Sequence, residues 1–150
     1  MTAFARLADL PALQGRAVGV GDWMRVDQAR IDQFAQATDD AQWIHVDPAR
    51  AAAGPFGTTV AHGFLTLSLL PALVASAFTI ADVRMSLNYG LNRVRFPSPV
   101  PAGSRLRAAC VLRGFEAIEG GAQLVLDVTV EREGGTKPAC VAEWVMRHFL

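Results

Sequence analysis

One hundred and fifty residues suffice for a single domain, 1–150, with a sizeable core. Hydrophobic side chains make up 51% of them and charged ones 19%, which excludes a disordered chain. A formal net charge of zero, with one lysine (Lys137) and no basic run, excludes a nucleic-acid-binding face, which needs clustered Lys and Arg.

At the N-terminus, Arg6, Asp9 and Pro11 interrupt any apolar run, so no secretory signal is expected and the cytoplasm is the expected compartment. Leu7 to Leu13 reads as a short helix ended by Gly15, and Ala17 to Val26 as a first strand loosened by glycines and Asp22. Asp27 is a suitable N-cap for a helix carrying Ile31, Phe34, Ala35 and Thr38 at helical spacing, which should stop near Asp39 or Asp40. A loop follows. Asp47 and Pro48 then start a short helix to about Ala53, with Asp as cap and Pro at the first helical position. Gly54 to Thr59 is a loop.

From Gly63 to about Phe78 the chain predicts a long uncharged helix, with a kink or irregular turn at Pro71. The run Phe64 to Ala81 is long enough to raise a membrane span. Thr66, Ser68, Ser76, Thr79 and Pro71 favour a helix buried by protein instead, so no membrane partner is expected. The period then changes. Leu106, Ala108, Cys110 and Leu112 alternate with more polar positions, as do Leu124, Leu126, Val128 and Val130, the pattern of half-buried antiparallel strands. Glu119-Gly120-Gly121 and Glu133-Gly134-Gly135 supply hairpin turns, and Val83 to Arg95 and Ala139 to Phe149 complete about five strands. Cys110 and Cys140 sit in separate strands without a CxxC pair, so buried free thiols are expected and neither zinc nor a redox pair. The fold class is α+β: a curled antiparallel sheet around the long helix.

Two polar residues stand out. Asp40 and His45 lie five positions apart, shortly before Ala61-His62-Gly63-Phe64. A carboxylate and an imidazole can share proton transfers around one water, and a free N–H at a helix N-terminus suits an oxygen gaining negative charge. Spacing alone leaves a plainer reading open, in which Asp40 ends a helix and His45 sits in a solvated loop. Asp39 and Asp47 compete as the acid, although Asp47 is better explained as the cap before Pro48. Gly63 is also open to a pure packing role, and His62 to a structural one.

Asp40-(four residues)-His45-Val46-Asp47, Ala61-His62-Gly63-Phe64 and the strand Asn88 to Phe96 together resemble the MaoC-like (R)-specific enoyl-CoA hydratases, in particular the nodulation protein N-like branch. The resemblance runs from about Asp22 to Leu150. It implies a hot-dog fold, homodimers joined edge to edge, and reversible hydration of trans-2-enoyl-CoA to (R)-3-hydroxyacyl-CoA without a cofactor or metal. Carried over, Asp40 and His45 match the catalytic pair and Gly63 the amide that binds the thioester oxygen. The neighbouring Val60, Ala61 and His62, together with Ser68 and Asn88, are candidate substrate contacts. Ser68 would hydrogen-bond Asp40 or His45, or else its own helix; Asn88 would line the acyl channel or be an ordinary sheet residue. Gln42-Trp43 replaces the Asn-Pro that many members carry between the acid and the histidine. The competing functions are an acyl-carrier-protein-linked 3-hydroxyacyl dehydratase, a hot-dog thioesterase, and a non-catalytic acyl-thioester-binding module.

Overall fold

The structure is a computed structural model that describes residues 1–150. Its elements in chain order are β1 (Thr2–Phe4), a 3-10 helix (Leu7–Leu13), β2 (Ala17–Val20), β3 (Met24–Val26), α1 (Gln28–Thr38), α2 (Trp43–Val46) and α3 (Pro48–Ala52). There follow α4 (Gly63–Ser68), α5 (Leu70–Ala75), β4 (Phe78–Ile80), β5 (Met85–Arg95), β6 (Ser104–Ile118), β7 (Gly121–Arg132) and β8 (Cys140–Phe149). The main sheet runs β2-β6-β7-β8-β5, with β3 also paired to β6, and every pairing in it is antiparallel.

Alternation decides which face of β6 and β7 is buried. Leu106, Ala108, Cys110 and Leu112 face inward, as do Leu124, Leu126, Val128 and Val130. Against them pack Leu65, Leu70, Leu73 and Val74 from α4 and α5. That explains why the segment carries no charge on its inner side. It also completes the hot-dog arrangement, a curled sheet around a central helix. Burial pushes the Cys110 thiol up to about 12 and the Cys140 thiol up to about 11, as expected for unpaired thiols in a core.

The structure departs from the sequence expectations in four places. The apolar helix is two six-residue pieces broken at Leu69, and it ends at Ala75, so Phe78 belongs to β4 instead. Pro71 lacks an N–H and sits in the first turn of α5, where none is needed. The first strand is split into β2 and β3 around Gly21-Asp22-Trp23. β1 and β4 form a separate parallel pair that three-residue strands gave no sign of. Finally, Trp43 to Val46, expected as loop, forms one helical turn. No helix is long and apolar enough to cross a membrane.

Candidate active site

The site is built where α1 ends. The Asp27 carboxylate accepts from the Arg30 N–H at the start of α1, and Asp39 closes that helix in a left-handed conformation (φ 59°). A positive φ turns the chain sharply, and Asp is among the few side chains that tolerate it. Asp40 therefore leaves the helix axis at once, with its side chain 51% exposed.

Five residues on, the single turn of α2 draws His45 inward, leaving the residue 7% exposed. Trp43 braces that turn from outside: its ring lies against Gly54, where a Cβ would come within 2.9 Å of it. The Arg50 guanidinium covers the ring at 4.5 Å. The His45 Nδ1–H donates to the Val60 carbonyl at 2.6 Å, which fixes the tautomer and leaves Nε2 as the basic nitrogen. Nε2 has no protein partner and stays within reach of solvent. Burial holds the His45 pKa below the ordinary histidine range. The Val60 carbonyl and Asp40 oppose that shift, and His62 adds to it.

His62 is more deeply sealed, at 2% exposure, than a substrate contact would be. Its Nε2–H donates to the backbone carbonyl of Asp40 at 2.9 Å, and its ring stacks on His45 with centroids 3.8 Å apart and planes 25° from parallel. Phe34 of α1 packs beside the His62 ring at 5.0 Å. One imidazole thus ties the backbone of one member of the pair to the ring of the other.

One side-chain nitrogen or oxygen from each of Asp40, His45 and His62 lies within 4.8 Å of the other two. A metal would need lone pairs converging on one point, but in-plane lone pairs of stacked rings point along nearly parallel planes.

Segment 59–63 is held by backbone bonds, Val60 N–H to Ile44 C=O at 3.0 Å and Ala61 N–H to Val100 C=O at 2.8 Å. Val60 and Ala61 are thereby buried supports of the site. Gly63 opens α4, and its N–H donates to no protein group. Its lack of a side chain matters too, because a Cβ there would lie 2.9 Å from the Phe96 ring. Beside it is a cavity of about 270 Å³ that Phe56, Ala61, Thr66, Phe96 and Val100 help to line.

Two candidates stand apart from the pair. The Ser68 hydroxyl donates to the Phe64 carbonyl one turn back at 2.7 Å, the helix-bonding alternative, and makes no bond to Asp40 or His45. Asn88 lies on edge strand β5, where its side-chain oxygen accepts from Trp144 Nε1 at 2.5 Å. Sequence reading missed Gln28, whose amide donates to the His45 carbonyl at 2.7 Å, and Thr59, whose hydroxyl donates to the Gln28 side-chain oxygen at 2.5 Å. A glutamine in the first turn of α1 carried no signal that would have marked it.

Residues 9–134 match the MaoC like domain. The chain is 54% identical to a 3-hydroxyacyl-thioester dehydratase Z of Mycobacterium tuberculosis, over 99% of each protein. It is 51% identical to Nodulation protein N of Rhizobium leguminosarum bv. viciae, over 93% of this chain and 88% of that one. Among solved structures, the (R)-hydratase from A. caviae involved in PHA biosynthesis superposes with a TM-score of 0.66 at 26% identity, covering 85% of this chain and 94% of that one. An archaeal protein from Archaeoglobus fulgius, described as a monoamine oxidase regulatory protein, shares the fold with a TM-score of 0.76 at 21% identity, over 99% and 97% of the two chains. With more than four-fifths of its length matched and a relative of this identity spanning it end to end, the chain belongs to the MaoC-like dehydratase domain family.

Proposed function

We propose that this protein is an (R)-specific hydratase that reversibly adds water across a trans-2-enoyl-CoA to give the (R)-3-hydroxyacyl-CoA. The carrying observation is that one atom each of Asp40, His45 and His62 lies within 4.8 Å of the others and His45 Nε2 has no protein partner, while the Gly63 amide, next to His62 in the chain, has none either. A water between the pair donates one hydrogen to the Asp40 carboxylate and one to His45 Nε2. Its oxygen bonds to C3 while one of its protons passes to the pair and on to C2 from the same face. Atoms and charge then balance without a cofactor. The Gly63 N–H receives the thioester oxygen as enolate charge builds there. Asp40 and His45 act as one coupled unit, because neighbouring titratable groups exchange their protons together.

His62 is a positioning residue in this scheme. It touches no substrate, but it sets both the Asp40 backbone and the plane of the His45 ring. The relative from M. tuberculosis carries the name of the reverse direction, dehydration of a 3-hydroxyacyl thioester; by microscopic reversibility the pair proposed here would run that direction too. Carrier-protein and coenzyme A substrates share the reacting thioester. A homodimer joined through β5 fits the same reading, because this edge strand of eleven residues leaves Met85, Leu87, Tyr89 and Leu91 exposed.

The test is the loss of ultraviolet absorbance of crotonyl-CoA with purified protein. Turnover by the wild type that disappears in Asp40→Asn and His45→Gln supports the hydratase. Full activity in both variants contradicts the assigned pair. No turnover of short or long enoyl-CoA favours the acyl-thioester-binding module instead.

A further inference from the structure

A second cavity, of about 350 Å³, lies between α5, β4 and the edge of the main sheet. Pro71, Val74, Phe78, Ile80, Trp144 and Met146 supply apolar walls, and no Lys, Arg, Asp or Glu lines it. Among these walls Ser86 and His148 face each other across β5 and β8, with the Ser86 hydroxyl oxygen 2.7 Å from His148 Nδ1.

The cavity lies at the far end of the helical segment that Gly63 opens. Phe64, Ser68, Pro71 and Ala75 recur at helical spacing and form the exposed stripe of α4 and α5, running from Gly63 to the cavity. At about 1.5 Å of rise per residue, and allowing for the break at Leu69, Pro71 to Ala75 lies at most roughly 12–18 Å from the Gly63 amide. That is the reach of the far part of an acyl chain, well beyond the reacting carbons.

The polar pair is at odds with a plain hydrocarbon slot. His148 is 5% exposed and its Nε2 has no hydrogen-bond partner, so the fold carries an unsatisfied buried nitrogen where an aromatic hydrocarbon would pack. Burial keeps its pKa below the ordinary histidine range, so the ring is neutral near pH 7. A neutral pair in walls without charge does not complement a carboxylate or a phosphate. A ligand hydroxyl suits it in either imidazole tautomer, since the Ser86 hydroxyl, exposed at the mouth, can donate to it or accept from it.

We propose that Ser86, backed by His148, recognises a hydroxyl group far along the acyl chain, so that the preferred substrate class is a hydroxylated medium- or long-chain enoyl thioester. The proposal rests on the hydratase reading above and adds to it the identity of the chain.

The experiment compares kcat/KM for plain trans-2-enoyl-CoA and terminally hydroxylated counterparts, from octenoyl to tetradecenoyl. The expected result is a preference of about tenfold for the hydroxylated chain at the length that reaches the pair, in line with one net hydrogen bond. In Ser86→Ala and in His148→Phe that ratio falls to about one. Ser86→Ala deletes a single hydroxyl and leaves the β5 backbone pairing intact, so it carries the test should His148→Phe fail to fold. A wild-type ratio near one at every length, with hydration intact, overturns the hydroxyl reading alone. Absence of hydration on every chain overturns the functional reading and this one together.

Discussion

Strands β6 and β7 bury Leu106, Ala108, Cys110, Leu112, Leu124, Leu126, Val128 and Val130 with no polar side chain among them. The stretch from Asp40 to Gly63 instead buries His45, Thr59 and His62 and holds them through directed bonds to Val60, Gln28 and Asp40. Hydrophobic burial scales with area and is indifferent to small rotations, so the sheet needs only the right face and volume. A buried imidazole needs named partners at fixed angles, and losing one leaves the rest unsatisfied. The sheet region therefore supplies stability and the loop region supplies placement. Substitutions in the two should separate those properties.

The largest separation comes from Asp40→Asn. Its exposed side chain leaves folding nearly unchanged, whereas kcat on crotonyl-CoA should drop by about 10³-fold, within the range for a general acid–base group. A thermal melt beside the kinetic assay checks both halves, and a variant that retains kcat would erase the contrast. Leu126→Ala is the mirror image. With the side chain fully buried in the core, about 3 kcal/mol of stability should be lost in urea titrations. Turnover per folded molecule should hold. An equal loss of both properties would mean that the sheet also places the site.

How much could be seen beforehand divides along the same line. Alternation over β6 and β7 was visible because a period of two repeats many times within each strand. β1 and β4 are too short for any period to register, and their pairing joins residues more than seventy positions apart. The first strand breaks at Gly21 and Asp22, where the chain passes so close to α5 that a Cβ on Gly21 would meet the Leu73 carbonyl and the Asp22 N–H turns to the Ser76 hydroxyl. At the site, Asp40 and His45 could be singled out as residue types at a spacing. The stack of His62 on His45 could not, since it depends on α2 forming a turn that four residues do not advertise. Gln28 stayed hidden for a similar reason: its role is a bond to a backbone carbonyl seventeen residues away.

His62→Phe sharpens the comparison by removing one kind of contact only. Phenylalanine retains a ring to stack on His45 but cannot donate to the Asp40 carbonyl. The expected loss in kcat is about tenfold to a hundredfold with KM little changed, because a misplaced group chiefly affects the transition state. His62→Gln restores a donor and should recover part of that loss. A pure KM effect would place His62 in substrate binding instead.

The smallest effect is the pH dependence of stability. His45 and His148 both have folded pKa values below the ordinary 6.5, chiefly through burial. Above that value both states are neutral at these sites and neither contributes a slope. As pH falls below 6.5, the unfolded chain takes up protons that the folded chain resists, so stability declines until the folded groups titrate. Urea midpoints should fall between pH 7 and 5, and less steeply in His148→Phe. A slope identical in the variant removes His148 from the explanation.

In the proposed reaction one water, held by Asp40 and His45, supplies both the hydroxyl and the proton from one side of the double bond. Hydrating crotonyl-CoA in deuterium oxide and reading the product by proton NMR tests it most directly. The expected product carries one deuteron at C2 on the face that bears the new hydroxyl at C3, with R configuration at that carbon. Addition from opposite faces, or deuterium spread over both C2 positions during the first turnover, contradicts a shared water between those two side chains.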